Sequence, residues 1–117
     1  MNDCVFCKII KGEIPSQKIY EDEAVFAFKD HAPKAPIHVL IVPKIHLQDL
    51  NAALTRPEIM NQALVAGVKI AKELGISEAY KVGVNTGELA GQTVMHLHFH
   101  LLGGWKEKSE VVSELHQ

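Results

Sequence analysis

From Met95 to Leu102 the chain alternates between apolar and polar positions. Leu97, Phe99 and Leu101 follow Met95 on one side, and His96, His98 and His100 occupy the other. A period of two predicts a strand with one face on a core, here Thr93–Leu102, with Met95 among the core residues. Residues i, i+2 and i+4 of an extended chain share a face, so the three imidazoles should project together, roughly 6 to 7 Å apart. Upstream, residues 4–11 (CVFCKIIK) predict a short helix stopped at Gly12 and redirected by Ile14 and Pro15. Glu23–Asp30 alternates as a strand, and the prolines of Ala32–Pro36 force a loop after it. Ile37–Val42 is a β-branched strand ended by Pro43, with Ile37, Val39 and Ile41 on one face and His38, Leu40 and Val42 on the other.

Ile45–Leu54 predicts a short helix. Thr55-Arg56-Pro57-Glu58 then matches a capping box, in which the Thr oxygen and the Glu side chain satisfy reciprocal backbone donors. Behind it Ile59, Ala63, Gly67, Ile70, Ala71 and Leu74 recur at helical spacing, with Met60, Leu64 and Val68 widening the stripe. Gly75 supplies a left-handed terminus. Tyr80–Val84 reads as a strand, and Asn85–Gly91 as a loop carrying two glycines. Short loops and an excess of strands point to an α+β fold with an antiparallel sheet.

Composition narrows the function. With 117 residues, 47% of them hydrophobic and 22% charged, the chain reads as one globular domain over 1–117, with a C-terminal arm from about 105. A net charge of −2 without a Lys/Arg cluster argues against nucleic-acid or membrane surfaces as partners. No apolar run reaches the ~18 residues of a membrane span. Met1-Asn2-Asp3-Cys4 lacks the regions of a signal peptide. Two cysteines are too few for a disulfide scaffold. The expected location is cytoplasmic.

Three imidazoles on one face admit three chemistries. They suit a metal, with His38 as a further ligand from a neighbouring strand. They suit a phosphoryl nucleophile, because a neutral imidazole attacks phosphorus without first losing a proton while its neighbours donate to phosphate oxygens. They also suit a satisfied structural cluster. Gly91-Gln92-Thr93 before the strand has the composition of an anion cradle, and Asn85 stands at another strand end facing the same loop. Cys4-x-x-Cys7 reads as a redox pair, half of a zinc site, or two buried thiols.

The string GQTVMHLHFHLLGG resembles the signature of the histidine-triad (HIT) family, three histidines separated by single apolar residues. The resemblance extends to CVFCKIIKGEIPS, FKDHAPKAPIHVLIVPKIH and VGVNTGELAGQ, in order over residues 4–104. The closing Leu-Leu-Gly-Gly looks like the nucleotide-binding HINT branch. It implies a homodimer with about five antiparallel strands, one long helix and one or two short ones. It also implies hydrolysis of nucleoside 5′-phosphoramidates to a monophosphate and an amine, with a purine nucleotide as the expected substrate.

Carried over by position, the resemblance makes His98 the nucleophile that becomes nucleotidylated. His100 contacts the phosphate, and His38 orients the triad. Thr93 keeps a hydroxyl near the leaving group. Asn85, Gly91 and Gln92 match the phosphate and leaving-group loop, and Asp30 matches the carboxylate for the ribose hydroxyls. His31 stands against the base where isoleucine is usual, and Lys29 replaces a histidine, so base preference is open. Some bacterial relatives bind a structural zinc at positions matching Cys4, Cys7, His46 and His96; His96 would then fix the nucleophile's strand. No cofactor is required for the chemistry. A dinucleoside polyphosphate hydrolase and a nucleotide-binding partner protein with incidental hydrolysis are the alternatives.

Overall fold

The computed structural model describes residues 4–111. Helix α1 (Val5–Ile10) is followed by β1 (Lys18–Glu21), β2 (Val25–Lys29) and β3 (Ile37–Pro43). After a 3-10 turn at Asn51–Thr55 come α2 (Pro57–Glu73), β4 (Tyr80–Gly83) and β5 (Phe99–Gly103). The strands form one antiparallel sheet in the order β1-β2-β3-β5-β4. The chain is thus α+β, as its pattern predicts.

Both faces of the sheet are covered, which is why β3 and β5 read as nearly continuous apolar runs. Val25, Ala27, Val39, Ile41, Leu97, Phe99 and Leu101 face α2 and meet its Ala63, Ala66 and Ile70. Gly67 lets the helix approach, since a Cβ there would sit 3.3 Å from Ile41 Cδ1. The opposite face carries Phe26, Phe28, Leu40 and Val42 beneath Phe6 and Ile9 of α1. A six-residue helix is too short to persist alone in water. These two buried side chains hold α1 against the sheet, and its first turn is capped by Cys4 Sγ, which accepts from the Cys7 N–H at 3.3 Å.

Several expectations change. Strand β1 has no counterpart in the hydrophobic pattern, because its four residues are half-buried or exposed at a sheet edge. Strand β2 covers only Val25–Lys29 of the predicted Glu23–Asp30. The helix expected at Ile45–Leu54 is a bent segment ending in the 3-10 turn. The capping box does not form: Arg56 is the N-cap residue of α2, the Thr55 hydroxyl donates to Ala52 O at 2.9 Å, and Glu58 pairs with Arg56 at 2.7 Å. Pro57, which needs no partner for a missing N–H, starts the helix instead. Leu64 and Val68 are exposed rather than part of the buried stripe.

The histidine strand is also shorter than predicted, beginning at Phe99. Residues 93–98 lack a ladder partner; Leu97 N–H donates singly to Leu47 O at 2.7 Å. Met95 is 40% exposed and outside the core. The alternation still holds, with Leu97 on the α2 face and His96, His98 and His100 buried. A 3-10 turn at Lys108–Glu110 begins the expected arm; residues 112–117 lie outside the described residues. No helix among the described residues is long and apolar enough to cross a membrane.

Candidate active site

In the β3–β5 ladder His38 pairs with Leu102 and Leu40 with His100, which makes the two histidines diagonal neighbours on the α1 face. The loop before β3 decides their protons. Lys34 N–H donates to His38 Nδ1 at 3.0 Å, so the neutral ring carries its hydrogen on Nε2. That N–H lies 2.9 Å from His100 Nδ1 and 3.4 Å from Asp30 Oδ2. His100 Nδ1 therefore accepts, and the hydrogen of His100 sits on Nε2. This buried atom meets no hydrogen-bond partner among the described residues. Burial, reinforced by His98 and His38, pushes the His100 pKa down to about 3, and burial lowers His38 as well despite the Asp30 carboxylate. Both rings are neutral near pH 7.

His98 is fixed differently. Its Nδ1–H donates to His96 O at 2.7 Å, which leaves the ring's lone pair on Nε2. The ring packs edge-on against Phe6 with centroids 5.0 Å apart, and at 5.2 Å from His100. The arrangement sets a basic nitrogen beside a ring N–H donor, which is what attack on an anionic phosphorus requires.

His96 shares the face but serves another cluster. Its Nε2–H donates to Pro43 O at 2.8 Å, so its lone pair is on Nδ1. That atom lies 3.2 Å from Cys4 Sγ, 3.6 Å from Cys7 Sγ and 3.0 Å from His46 Nδ1, and Cys7 Sγ is 3.4 Å from His46 Nδ1. All four ligand atoms fall within 4.8 Å of one another. A tetrahedral zinc site with ordinary bond lengths has ligand atoms roughly 3.3–3.8 Å apart, so two thiols and two imidazoles at these spacings fit that ion. Burial pushes the His96 pKa down to about 4, keeping it in the neutral form a ligand needs. Burial, with a hydrogen bond to Cys4, raises the Cys7 thiol, so a bound cation would have to displace its proton.

The glycine loop is built otherwise than as an open cradle. Gln92 is buried and spends its amide inside, accepting from Gly87 N–H and donating to Gln48 O and Val94 O. The Gly91 and Gln92 backbone N–H groups donate to Glu88 O and Gly87 O. The loop's shape is thereby set, with the Thr93 side chain on its exposed edge and Asn85 half-buried after β4. Asp30 is buried, and its Oδ1 accepts from Ala32 N–H at 2.9 Å.

Sequence reasoning passed over an apolar cavity of about 560 Å³ between α1 and β2. Val5, Phe6, Ile9, Phe28, Leu40 and Val94 line it, together with Lys29 and His31, whose side chain is 93% exposed. Nothing in the hydrophobic pattern marks these residues as a cavity wall; the one signal is that the six-residue helix carries three of them, Val5, Phe6 and Ile9.

A model of the HIT domain matches residues 11–107. The chain belongs to the HIT family. Among solved structures, a HIT family hydrolase from Clostridium thermocellum is 49% identical with a TM-score of 0.87, covering 91% of this chain and 94% of the other. A histidine triad nucleotide-binding protein from Candida albicans is 38% identical with a TM-score of 0.79, covering 91% and 85%. Protein HitA of Neisseria gonorrhoeae is 41% identical over 104 residues, 88% of this HIT chain and 97% of that protein. The five-stranded sheet and long α2 are thus the HIT fold.

Proposed function

We propose that this HIT protein is a hydrolase of the HINT-like branch that cleaves the P–N bond of nucleoside 5′-phosphoramidates through a nucleotidyl-histidine intermediate. The observation that carries the reading is the opposed pair of tautomers at His98 and His100. His98 Nε2 attacks the α-phosphorus, and its bond to phosphorus forms as the P–N bond breaks. The amine departs with a proton drawn from solvent past the Thr93 hydroxyl. His100 Nε2–H donates to the phosphoryl oxygens, whose charge grows in the transition state. Water then attacks phosphorus, the bond to Nε2 breaks, and the nucleoside monophosphate leaves. One difficult displacement becomes two easier ones.

The apolar cavity, with His31 in its lining, suits a purine ring, and the buried Asp30 carboxylate is the acceptor we assign to the ribose hydroxyls. Likeness to the Clostridium thermocellum HIT family hydrolase and to the Candida albicans histidine triad nucleotide-binding protein supports hydrolysis and nucleotide binding. We read Cys4, Cys7, His46 and His96 as the holders of a structural zinc, which would supply no chemistry to the phosphorus and would fasten α1 to the sheet. Exposed Leu64, Val65 and Val68 on the outer face of α2 support a homodimer.

The test is intact-protein mass spectrometry after mixing with an adenosine 5′-phosphoramidate. One added nucleotide on His98 is expected, and no adduct in His98→Ala, which should fold normally and lose at least about 10⁴-fold in kcat. An active His98→Ala chain ends the assignment. Faster turnover of a dinucleoside polyphosphate would shift the substrate class instead, and tight monophosphate binding without turnover would favour a binding protein.

A further inference from the structure

Helix α1 is shared by the Cys/His cluster and the apolar cavity. Cys4 at its N-cap and Cys7 in its first turn present thiols to His46 and His96. The residues between and after them, Val5, Phe6 and Ile9, form a wall of the apolar cavity. Phe6 is the hinge of this arrangement. Its ring lies edge-on to His96 at 6.0 Å, to His98 at 5.0 Å and to Phe28 at 5.6 Å. One side chain thus touches a residue of the Cys/His cluster, the proposed nucleophile and the cavity floor.

The helix has little stability of its own. Six residues do not offset the cost of helix nucleation, and no acidic residue in its first turn answers the helix dipole. Without an ion holding the four ligands, its place depends on Phe6 and Ile9, the partly buried Ile10 beside them, and the contacts of Cys4 and Cys7 with His96 and His46. A cation bound by the cluster would tie the N-terminal end of α1 to the loop after β3 and to the chain before β5. The freedom lost there is freedom the cavity wall no longer has to give up on taking up a ligand, and such coupling works in both directions.

We propose that Phe6 is a positioning residue through which metal occupancy of the Cys4/Cys7/His46/His96 cluster controls nucleotide affinity, and reciprocally nucleotide controls metal affinity. The inference rests on the reading of the cavity as the nucleotide's base pocket and of the cluster as a zinc site.

The experiment is a binding cycle on the full chain. Calorimetry measures the Kd of guanosine 5′-monophosphate on protein stripped by chelator and on protein reloaded with zinc, with circular dichroism confirming that the stripped chain keeps its fold. Zinc release to a chromophoric chelator is then followed with and without the nucleotide. The stripped chain should bind nucleotide between about 5- and 150-fold more weakly, and nucleotide should tighten zinc by the same factor. Phe6→Leu should still bind zinc, with the factor falling towards one. Equal nucleotide affinity in the two folded forms overturns the coupling while leaving the pocket reading intact. Failure of nucleotide to bind either form, or of zinc to bind at all, overturns it by removing the site it rests on. Should the stripped chain unfold, zinc release from the loaded chain carries the test alone. An unchanged factor in Phe6→Leu removes that residue's part.

Discussion

His38 Nε2 lies 2.9 Å from His100 Nδ1, and the backbone N–H of Lys34 on the far side of the His38 ring settles which of the two nitrogens donates. The hydrogen that His100 would offer a phosphate is therefore placed by a main-chain group in a loop, through one intervening ring.

Replacing His38 by leucine removes that bond and frees His100 to adopt either tautomer. The expected loss in kcat is about 10²–10³-fold, the cost of one misplaced donor to a charged transition state, with KM changing much less. Glutamine can put an amide N–H near the position of the ring Nε2, so His38→Gln should recover much of the rate. Equal kinetics for both variants would show that His38 acts only as a filler.

Acid should destabilise the fold. His100 is held down at about 3 and His38 is also lowered, whereas both titrate near about 6.5 in an unfolded chain. Between those values the unfolded state binds more protons, so stability rises with pH. It is fully present above about pH 6.5 and is lost as pH falls towards the folded values, at about 1.4 kcal/mol per pH unit for one such group. Urea unfolding at about pH 7.5 and about pH 5 measures the slope, and His100→Gln should flatten it. A wild-type slope of zero over that range would contradict the buried neutral rings.

Metal content is checked directly by elemental mass spectrometry, with one zinc per chain expected. Cys4→Ser and His46→Ala should each lower it, and chelation should lower the melting temperature by roughly 4–8 °C for each kcal/mol of binding energy lost. Wild-type zinc content in both variants would take those ligands out of the site.

The Leu-Leu-Gly-Gly ending of β5 has a steric cause. Gly104 has φ +86°, and a Cβ there would meet Pro36 Cβ at 3.2 Å and Ile37 Cγ1 at 3.3 Å, next to His38. Gly103 faces Ile76 Cδ1 at 2.6 Å from a built Cβ. Gly104→Ala should cost about 1–3 kcal/mol, read from chemical denaturation, and reduce kcat by displacing the start of β3. A neutral substitution would mean the turn relaxes freely.

Much of this could be read from the chain. Alternation through His96, His98 and His100 placed the rings on one face, and the spacing of Ile59, Ala63, Gly67 and Ile70 placed α2, because both patterns are local. Strand β1 escaped notice since its residues are not deeply buried and its identity comes from pairing with β2. The capping box failed because Thr55 was already bonded within the preceding turn and Pro57 set the start of the helix. Met95 fits the alternation but sits ahead of the ladder, where it stays 40% exposed among the described residues. Phe6 and Phe28 were legible as members of a helix and a strand and not as a cavity wall, since a cavity is a relation between elements.

By itself the sequence determined the period-two histidine face, the long amphipathic helix, the α+β class and the resemblance that names the family. All of these depend on residues close together in the chain or on a whole ordered pattern. Only the tertiary structure decided that the three rings divide their labour. Their proton positions are set by Lys34 N–H acting on His100 through His38, by His96 O on His98 and by Pro43 O on His96. The first and last of these lie far along the chain from the triad ring they fix. A tautomer is chosen by whichever partner packing brings within hydrogen-bond reach, and packing is settled only when the sheet closes.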